Sequence, residues 1–243
     1  MKKTVSRAIA LLVLAHASAE FSFLPPDVNA TNDVLFRVRT SIPGDGTCTT
    51  LFRKNLDSGS LEQLTFYPES MESLAGGSLL QLRNRFGTVR YDVPSDSFSW
   101  VADSKPFQSG GDVSLGVLKD ASASPDGRWL VTVEPVSPAR GKLVLHDVGK
   151  GVSFTLAASV SLGSVPVSWS PDSAVMVYAV AGQLYFARPA SFFSASVVDE
   201  KYRTLGSGTI RSVSWFSPSR FLYASGSSVY RVQAAELFTR SLY

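Results

Sequence analysis

The sequence predicts an all-β protein, a β-propeller of about five four-stranded blades. The strongest observation is a Ser-Pro-Asp turn whose prolines, Pro125, Pro171 and Pro218, are spaced by 46 and 47 residues. The third copy has Ser219 in place of the aspartate. A strand-rich repeat of this length is typical of propeller blades, because one small sheet cannot bury both of its faces alone. No segment beyond the first 19 residues shows an apolar stripe at helical spacing.

The same interval extends toward the N-terminus. Steps of 46 residues back from Pro125 reach Leu79 and then Asp33, and each of these opens a strand-like run. Five intervals therefore cover almost the whole chain. The predicted organisation is a signal peptide over residues 1–19, an N-terminal segment over 20–32 and a propeller domain over 33–243.

The repeat that begins near residue 165 shows all four strands of a blade. Its first strand alternates apolar and polar residues, as a half-buried strand does, and Pro171 and Asp172 then favour a turn. A continuous apolar run follows, which is typical of the buried middle of a sheet. The predicted strands of this blade are Val167–Ser170, Ala174–Val180, Gln183–Arg188 and Lys201–Leu205.

The last repeat is shorter than the others. Residues 210–232 match only the first three strands, and 25 residues follow Pro218 where a full period needs 46. We therefore expect a short last blade, or one in which the N-terminal segment Phe21–Leu24 supplies the missing outer strand.

These repeats resemble those of TolB-like propellers. The resemblance rests on Val-Ser-Trp-Ser-Pro-Asp at 167–172, on Gly-Gln-Leu-Tyr at 182–185, and on a similar blade over residues 33–65. It spans residues 33–232 and implies an exported propeller. TolB carries a separate α/β domain ahead of its propeller. We expect that domain to be absent here, because the first blade begins 14 residues after the predicted cleavage site.

The N-terminus has the order of a secretory signal peptide. A basic head precedes the apolar run Ala8–Ala15, and Ala17–Ala19 supplies the small residues that precede cleavage. Cleavage before Glu20 would release a periplasmic or secreted product. The apolar run is too short to span a bilayer, and no second stretch is long enough to do so.

The charge balance argues against a nucleic-acid partner. The chain has 23 basic and 20 acidic side chains, and three of the basic ones lie in the predicted signal peptide. The remaining chain is therefore neutral, without the basic excess of a nucleic-acid-binding domain. We expect a monomer that binds envelope or periplasmic proteins.

Cysteine and histidine are nearly absent. Cys48 is the only cysteine, which excludes an intramolecular disulfide, and His146 is the only histidine outside the predicted signal peptide. Too few ligands remain for a zinc site, and no phosphate-binding or dinucleotide-binding glycine motif occurs. A Ser-His-Asp site is formally conceivable, but no nucleophile elbow is present. We predict no metal, no cofactor and no catalytic residue.

Carboxylates and aromatic side chains are the remaining candidates for a site. Asp126 and Asp172 recur in the turn itself and are predicted to be structural. Paired carboxylates near strand ends could hydrolyse glycosides, and these are Asp112, Asp120, Glu134 and Asp147. Aromatic residues near strand ends and loops could bind a partner, and these are Phe66, Tyr67, Trp100, Phe192, Phe193, Trp215 and Phe216. Packing between blades is the alternative for them, above all for Trp169 and Trp215.

The function predicted from these observations is a non-enzymatic, exported scaffold for protein interactions. A carboxylate-based propeller enzyme is one alternative, and a degenerate remnant of a larger propeller protein is another. The sequence does not identify the binding residues or the partner.

Overall fold

The chain folds into five antiparallel β-sheets that follow one another along the sequence. The computed structural model describes residues 20–23, 27–28, 32–64, 66–101, 113–117, 121–162, 165–189, 200–202, 209–235 and 241–242. The predicted signal peptide lies outside these residues. Apart from a short 3-10 helix at Ala75–Gly77, the elements named in the described part are strands. The prediction of an all-β chain of about five blades is confirmed.

The first two sheets each have five strands. A long hairpin dominates the first sheet, with its pairing running from Asp33 opposite Asn55 to Ile42 opposite Gly46. The first sheet contains β1 (Glu20–Phe23), β2 (Asp27–Val28), β3 (Asp33–Ile42), β4 (Gly46–Asn55) and β5 (Leu61–Leu64). The second contains β6 (Ser70–Leu74), β7 (Leu79–Asn84), β8 (Gly87–Asp92), β9 (Ser97–Trp100) and β10 (Val113–Val117).

The third and fourth sheets each begin with the strand that precedes a Ser-Pro-Asp turn. In the order of the chain, each strand pairs with the next, as in a propeller blade. The third sheet contains β11 (Ala121–Ala123), β12 (Trp129–Ser137), β13 (Arg140–Asp147) and β14 (Val152–Ser161). The fourth contains β15 (Val167–Trp169), β16 (Met176–Val180), β17 (Gln183–Ala187), β18 (Glu200–Tyr202) and the distant β22 (Ser241–Leu242).

The fifth sheet is the short one and has three strands. They are β19 (Ile210–Ser217), β20 (Arg220–Ser225) and β21 (Ser228–Gln233). The hypothesis that the N-terminal segment completes this sheet is wrong, because β1 pairs with β3 of the first sheet, Phe21 lying opposite Thr40. The ten-residue strand β3 offers β1 an antiparallel neighbour, and this pairing satisfies the backbone hydrogen bonds of the N-terminal segment.

Apolar side chains from neighbouring sheets form the core. One cluster joins the first two sheets, and a second joins the third and fourth. A third joins the fourth and fifth sheets and also contains Cys48 of the first. The alternation is clearest in β20, where Phe221, Tyr223 and Ser225 are buried and the residues between them are half-exposed. Such alternation places one face of each strand toward the adjoining sheet.

Polar contacts between sheets follow the order of the sheets along the chain. Asn84 Nδ2 donates to the Pro125 carbonyl (2.8 Å), the Asp126 N–H donates to Ser173 Oγ (3.0 Å), and the Trp215 N–H donates to Ser168 Oγ (3.1 Å). These bonds join the second sheet to the third, the third to the fourth, and the fourth to the fifth. Contacts of the fifth sheet with the first are described below.

Candidate functional site

The first Ser-Pro-Asp turn is a hydrogen-bonded cap on its own hairpin. Ser124 Oγ accepts from the Trp129 N–H (3.0 Å) and donates to Asp126 Oδ1 (2.5 Å). The same carboxylate oxygen accepts from the Arg128 N–H (3.1 Å). Aspartate and serine side chains that bond their own turn are a common local alternative to strand pairing. Asp126 therefore has the structural role that the sequence predicted.

The second copy repeats this arrangement with one difference. Ser170 Oγ donates to Asp172, whose Oδ1 accepts from the Ala174 N–H (3.0 Å). The fourth residue of the turn has a left-handed backbone conformation in both copies, with φ +67° at Gly127 and +63° at Ser173. Ser173 tolerates this conformation while accepting the inter-sheet bond from Asp126, whereas Gly127 lies against Trp100 and has no room for a side chain.

The third copy lacks the aspartate, and a residue of the first sheet replaces it. Its turn is tighter, with Ser217 paired directly to Arg220. The buried Ser217 Oγ donates to Asp45 Oδ2 (2.5 Å), and Arg220 Nε lies 3.6 Å from the same oxygen. Asp45 sits at the tip of the β3–β4 hairpin. We call Asp45, Ser217 and Arg220 the seam triad.

A second contact joins the same two sheets. Gln63 Nε2 donates to the Trp215 carbonyl (2.8 Å), and Ser214 Oγ donates to the Gln63 side-chain oxygen. Together with the seam triad, these bonds connect the fifth sheet to the first.

The aromatic residues proposed as exposed anchors are buried wherever the structure describes them. Relative exposures are 0% for Phe66, Trp100 and Trp215, 7% for Tyr67 and 6% for Phe216. The expectation that they form a binding surface is therefore wrong for Phe66, Tyr67, Trp100 and Phe216. The pair at 192–193 lies outside the described residues. Trp169 and Trp215 are fully buried and pack in the clusters between sheets, as predicted.

Tyr67 illustrates why these side chains are inside. It lies in the connection between the first and second sheets, yet its hydroxyl donates to the carbonyl of Trp169 in the fourth sheet. Its ring also belongs to the cluster of the fourth and fifth sheets. Burial raises the pKa of Tyr67 well above its usual value, so its hydroxyl remains protonated.

The candidate carboxylates that the structure describes are already engaged. Asp147 is 1% exposed, accepts from the Gly149 and Lys150 N–H groups (both 3.1 Å) and pairs with Arg128 at 3.4 Å. Glu134, in contrast, is partly exposed and lies 3.4 Å from Lys142 Nζ. Asp112 and Asp120 lie outside the described residues.

His146 lies between two hydroxyl groups on one face of the third sheet. Its Nδ1 is 2.8 Å from Ser153 Oγ, and its Nε2 is 2.7 Å from Thr132 Oγ1. A Ser-His-acid triad needs a carboxylate that orients the second ring nitrogen. Among the described carboxylates, Glu134 Oε1 lies 3.9 Å from Nε2, beyond hydrogen-bond distance, and Thr132 occupies that nitrogen.

A partly buried ionic cluster joins the first and second sheets. Arg53 lies 2.9 Å from carboxylate oxygens of both Asp33 and Asp96 and donates to the Tyr91 hydroxyl at 3.0 Å. Although burial opposes it, the bond to Asp33 and the neighbouring negative charges raise the pKa of Arg53. Asp33 also accepts from Asn55 Nδ2 (2.9 Å). Each of these charges is compensated, which suits a structural connection between blades.

Cys48 is buried in the cluster of the fourth and fifth sheets. Burial, and secondarily the charge of Asp45, raise the pKa of Cys48 to about 12. The thiolate is the reactive form of cysteine, so this side chain is chemically quiet in the folded protein.

We expect the Cys48 thiol to react with a disulfide reagent only through unfolding. At pH 8, a thiol with a pKa of about 12 is ionised in about one molecule in 10⁴. The part of the folding stability that depends on a protonated Cys48 is fully present below a pH of about 9, where the thiol of the unfolded chain is also protonated. It is lost as the pH rises toward 12, the pKa of the thiol in the folded protein. Labelling with DTNB at several pH values, with and without guanidinium chloride, measures this. Equal labelling rates in the folded and unfolded protein would contradict it.

The outer edge of the fifth sheet is the best candidate site for a partner. The third strands of the first four sheets, β4, β8, β13 and β17, are each followed by a fourth strand. In the part of the chain that the structure describes, β20 is the only strand that pairs with β21, while Gln233 at the end of β21 makes a further contact. Over these described residues the open edge is therefore that of residues 228–232. An unpaired strand edge is a template for another strand. The sequence pointed to a short last blade, but it gave no sign that the N-terminal strand would pair elsewhere.

The open edge is basic. Residues 209–235 contain Arg211, Arg220 and Arg231 and no acidic residue. Arg220 is held by Asp45 of the first sheet, whereas Arg211 and Arg231 are exposed. Arg231 lies in the middle of β21, opposite Leu222 of β20.

Neither a metal-binding cluster nor a membrane-spanning helix is found among the described residues. Within them, no group of three or more His, Cys, Asp or Glu side chains is placed to hold a metal ion. No helix in the same part of the chain has the length and apolarity needed to cross a membrane.

Comparisons with known proteins identify no family for this chain. No protein-family model matches the chain, and no curated protein matches its sequence, so the TolB-like resemblance stays a prediction. Among solved structures, a nidogen/laminin complex is 12% identical with a TM-score of 0.37, covering 88% of this chain and 77% of that chain.

Two peptidase structures are similar to the same degree. A prolyl endopeptidase is 12% identical with a TM-score of 0.36, covering 96% of this chain and 39% of that one. The tricorn protease is 9% identical with a TM-score of 0.35, covering 93% of this chain and 31% of that one. The chain thus spans well under half the length of both peptidases. Likenesses of this size do not extend to activity, substrate or partner.

Proposed function

We propose that this chain is an exported, non-enzymatic propeller-like protein that binds a protein partner. The observation that carries the proposal is the open third strand of the fifth sheet, whose edge can accept a strand from another polypeptide. Of the two carboxylate candidates that the structure describes, Asp147 supports the same reading, because it is buried and bonds the turn of its own sheet. Glu134 instead lies 3.4 Å from Lys142 on the neighbouring strand.

Export rests on the signal-like order of residues 1–19. N-terminal sequencing of the protein recovered from the envelope fraction tests it, with Glu20 expected as the first residue. An unprocessed chain retained inside the cell would contradict export and leave the binding role to be tested separately.

Partner binding is tested by crosslinking the purified protein in envelope extract and identifying the captured proteins by mass spectrometry. We expect one reproducible partner, captured by the folded protein and lost after thermal unfolding. A folded protein that captures nothing, but turns over glycosides in a substrate panel, would overturn the proposal in favour of a carboxylate-based propeller enzyme.

A further inference from the structure

We infer that the open edge of β21 binds an extended, acidic segment of a partner protein by β-strand addition. This inference rests on the proposed binding function and specifies its site and the chemistry of the partner. It depends on three features: the backbone geometry of β21, the charge of the fifth sheet and the position of Arg231.

The backbone geometry fixes which groups are offered. β20 and β21 are joined by the two-residue loop at 226–227, with Ser225 opposite Ser228. Such a hairpin begins with a hydrogen-bonded pair, and bonded and non-bonded pairs alternate from there. The N–H and C=O groups of Val229 and Arg231 therefore face away from β20. These two residues offer donors and acceptors at the spacing that an incoming strand requires.

The charge of the sheet selects the occupant. Across residues 209–235 arginine is the only charged residue type, and the exposed Arg231 lies on the edge strand itself. Opposite charges on facing strands stabilise pairing, whereas like charges destabilise it. A segment with acidic side chains facing Arg231 is therefore favoured.

The same charge disfavours a second copy of this chain. A two-fold antiparallel pairing of β21 with itself would bring Arg231 of each copy close to that of the other, because the strand is only six residues long. Charged residues on strand edges commonly prevent this kind of self-association. Arg231 thus excludes the identical strand and admits an acidic one.

The first test uses a synthetic probe. A fluorescent eight-residue peptide that alternates glutamate and valine is titrated into the full-length protein, expressed with its own leader and purified as it is processed. We expect saturable binding that a lysine-valine peptide does not show, and that N-methylation of alternate amides abolishes. Amide exchange at Val229 and Arg231 should slow, while that at Tyr230, which already bonds β20, should not change. Equal binding of both peptides would overturn the inference.

Two variants locate the binding. Val229→Pro blocks the edge but removes no bond to β20, because the Val229 N–H faces outward. Arg231→Glu reverses the charge and should weaken binding of the acidic peptide about tenfold. Arg211→Glu is the matched control, since it makes the same charge change on an exposed residue of β19, two strands away from the edge. Salt screens a charge at that distance, so this variant should weaken binding far less than Arg231→Glu does. Thermal melts establish that each variant folds.

The same variants, used in the partner capture, separate this inference from the proposed function. Loss of the partner with Val229→Pro and Arg231→Glu, but not Arg211→Glu, supports both. Capture that is equal in all variants supports the function and overturns the edge site. Peptide binding without any captured partner supports the edge site and overturns the proposed function. If the peptide does not bind and no partner is captured, both the edge site and the proposed function are overturned. Sedimentation as a dimer that Val229→Pro dissociates would show self-pairing and overturn the inferred partner.

Discussion

Replacing Gly127 with alanine is expected to destabilise the protein by about 3–4 kcal/mol, the sum of a steric clash and backbone strain. A Cβ at this position would lie 1.6 Å from Nε1 of the fully buried Trp100. The ring cannot move aside, because it packs in the core shared by the first two sheets. The melting temperature should fall by about 8–15 °C, measured by circular dichroism.

Gly151→Ala is the matched control for this change. Gly151 has the same φ of +67° in the turn between β13 and β14, but no atom lies within 4 Å of the position of an added Cβ. Only backbone strain remains, of about 1 kcal/mol. Similar losses of stability in the two variants would mean that contact with Trp100 contributes nothing.

Replacing Asp45 with alanine is expected to cost about 2–3 kcal/mol, because it leaves a buried hydroxyl and a charge without their shared partner. Ser217 is fully buried, and the side chain of Arg220 is only 20% exposed. Chemical denaturation should report the loss as a lower midpoint. Asp45→Asn keeps an acceptor for Ser217 and should recover part of the stability.

Asp57→Ala serves as the control for the seam triad. Asp57 is also in a turn of the first sheet, but its carboxylate is exposed and accepts only long bonds from Asn32, at 3.3 and 3.4 Å. Surface substitutions of this kind change stability by about 0.5 kcal/mol or less. If Asp45→Ala were no more costly than Asp57→Ala, the seam triad would contribute no stability.

Features encoded by local chemistry could be predicted from the sequence. The repeating turn depends on bonds among residues that are neighbours in the chain, such as Ser124 with Asp126, so its position and structural role follow from the motif. The strand alternation and the short last sheet follow from the same local patterns. The buried state of Trp169 and Trp215 also agrees with their place just before the turns.

Features that depend on contacts between distant repeats could not be predicted. Phe66 and Tyr67 look like loop aromatics because nothing nearby in the sequence shows that Tyr67 reaches Trp169. Asp45 stands in a turn-rich stretch, and its partner Ser217 is 172 residues away. The one available clue was Ser219, which replaces the aspartate of the third turn and leaves Ser217 in need of another acceptor.

The seam triad has a consequence for the order of folding. The polar contacts described between consecutive sheets span 38 to 47 residues, whereas Asp45 and Ser217 are separated by 172. Closing the longer loop costs about 1 kcal/mol more in chain entropy, so this contact should form after the others. During synthesis at about 5–20 residues per second, the first sheet waits about 10–35 s for Ser217 to be made. The sheets are therefore expected to assemble in the order of their synthesis. The tip of the β3–β4 hairpin gains its contact with Ser217 only once the first strand of the fifth sheet has been made.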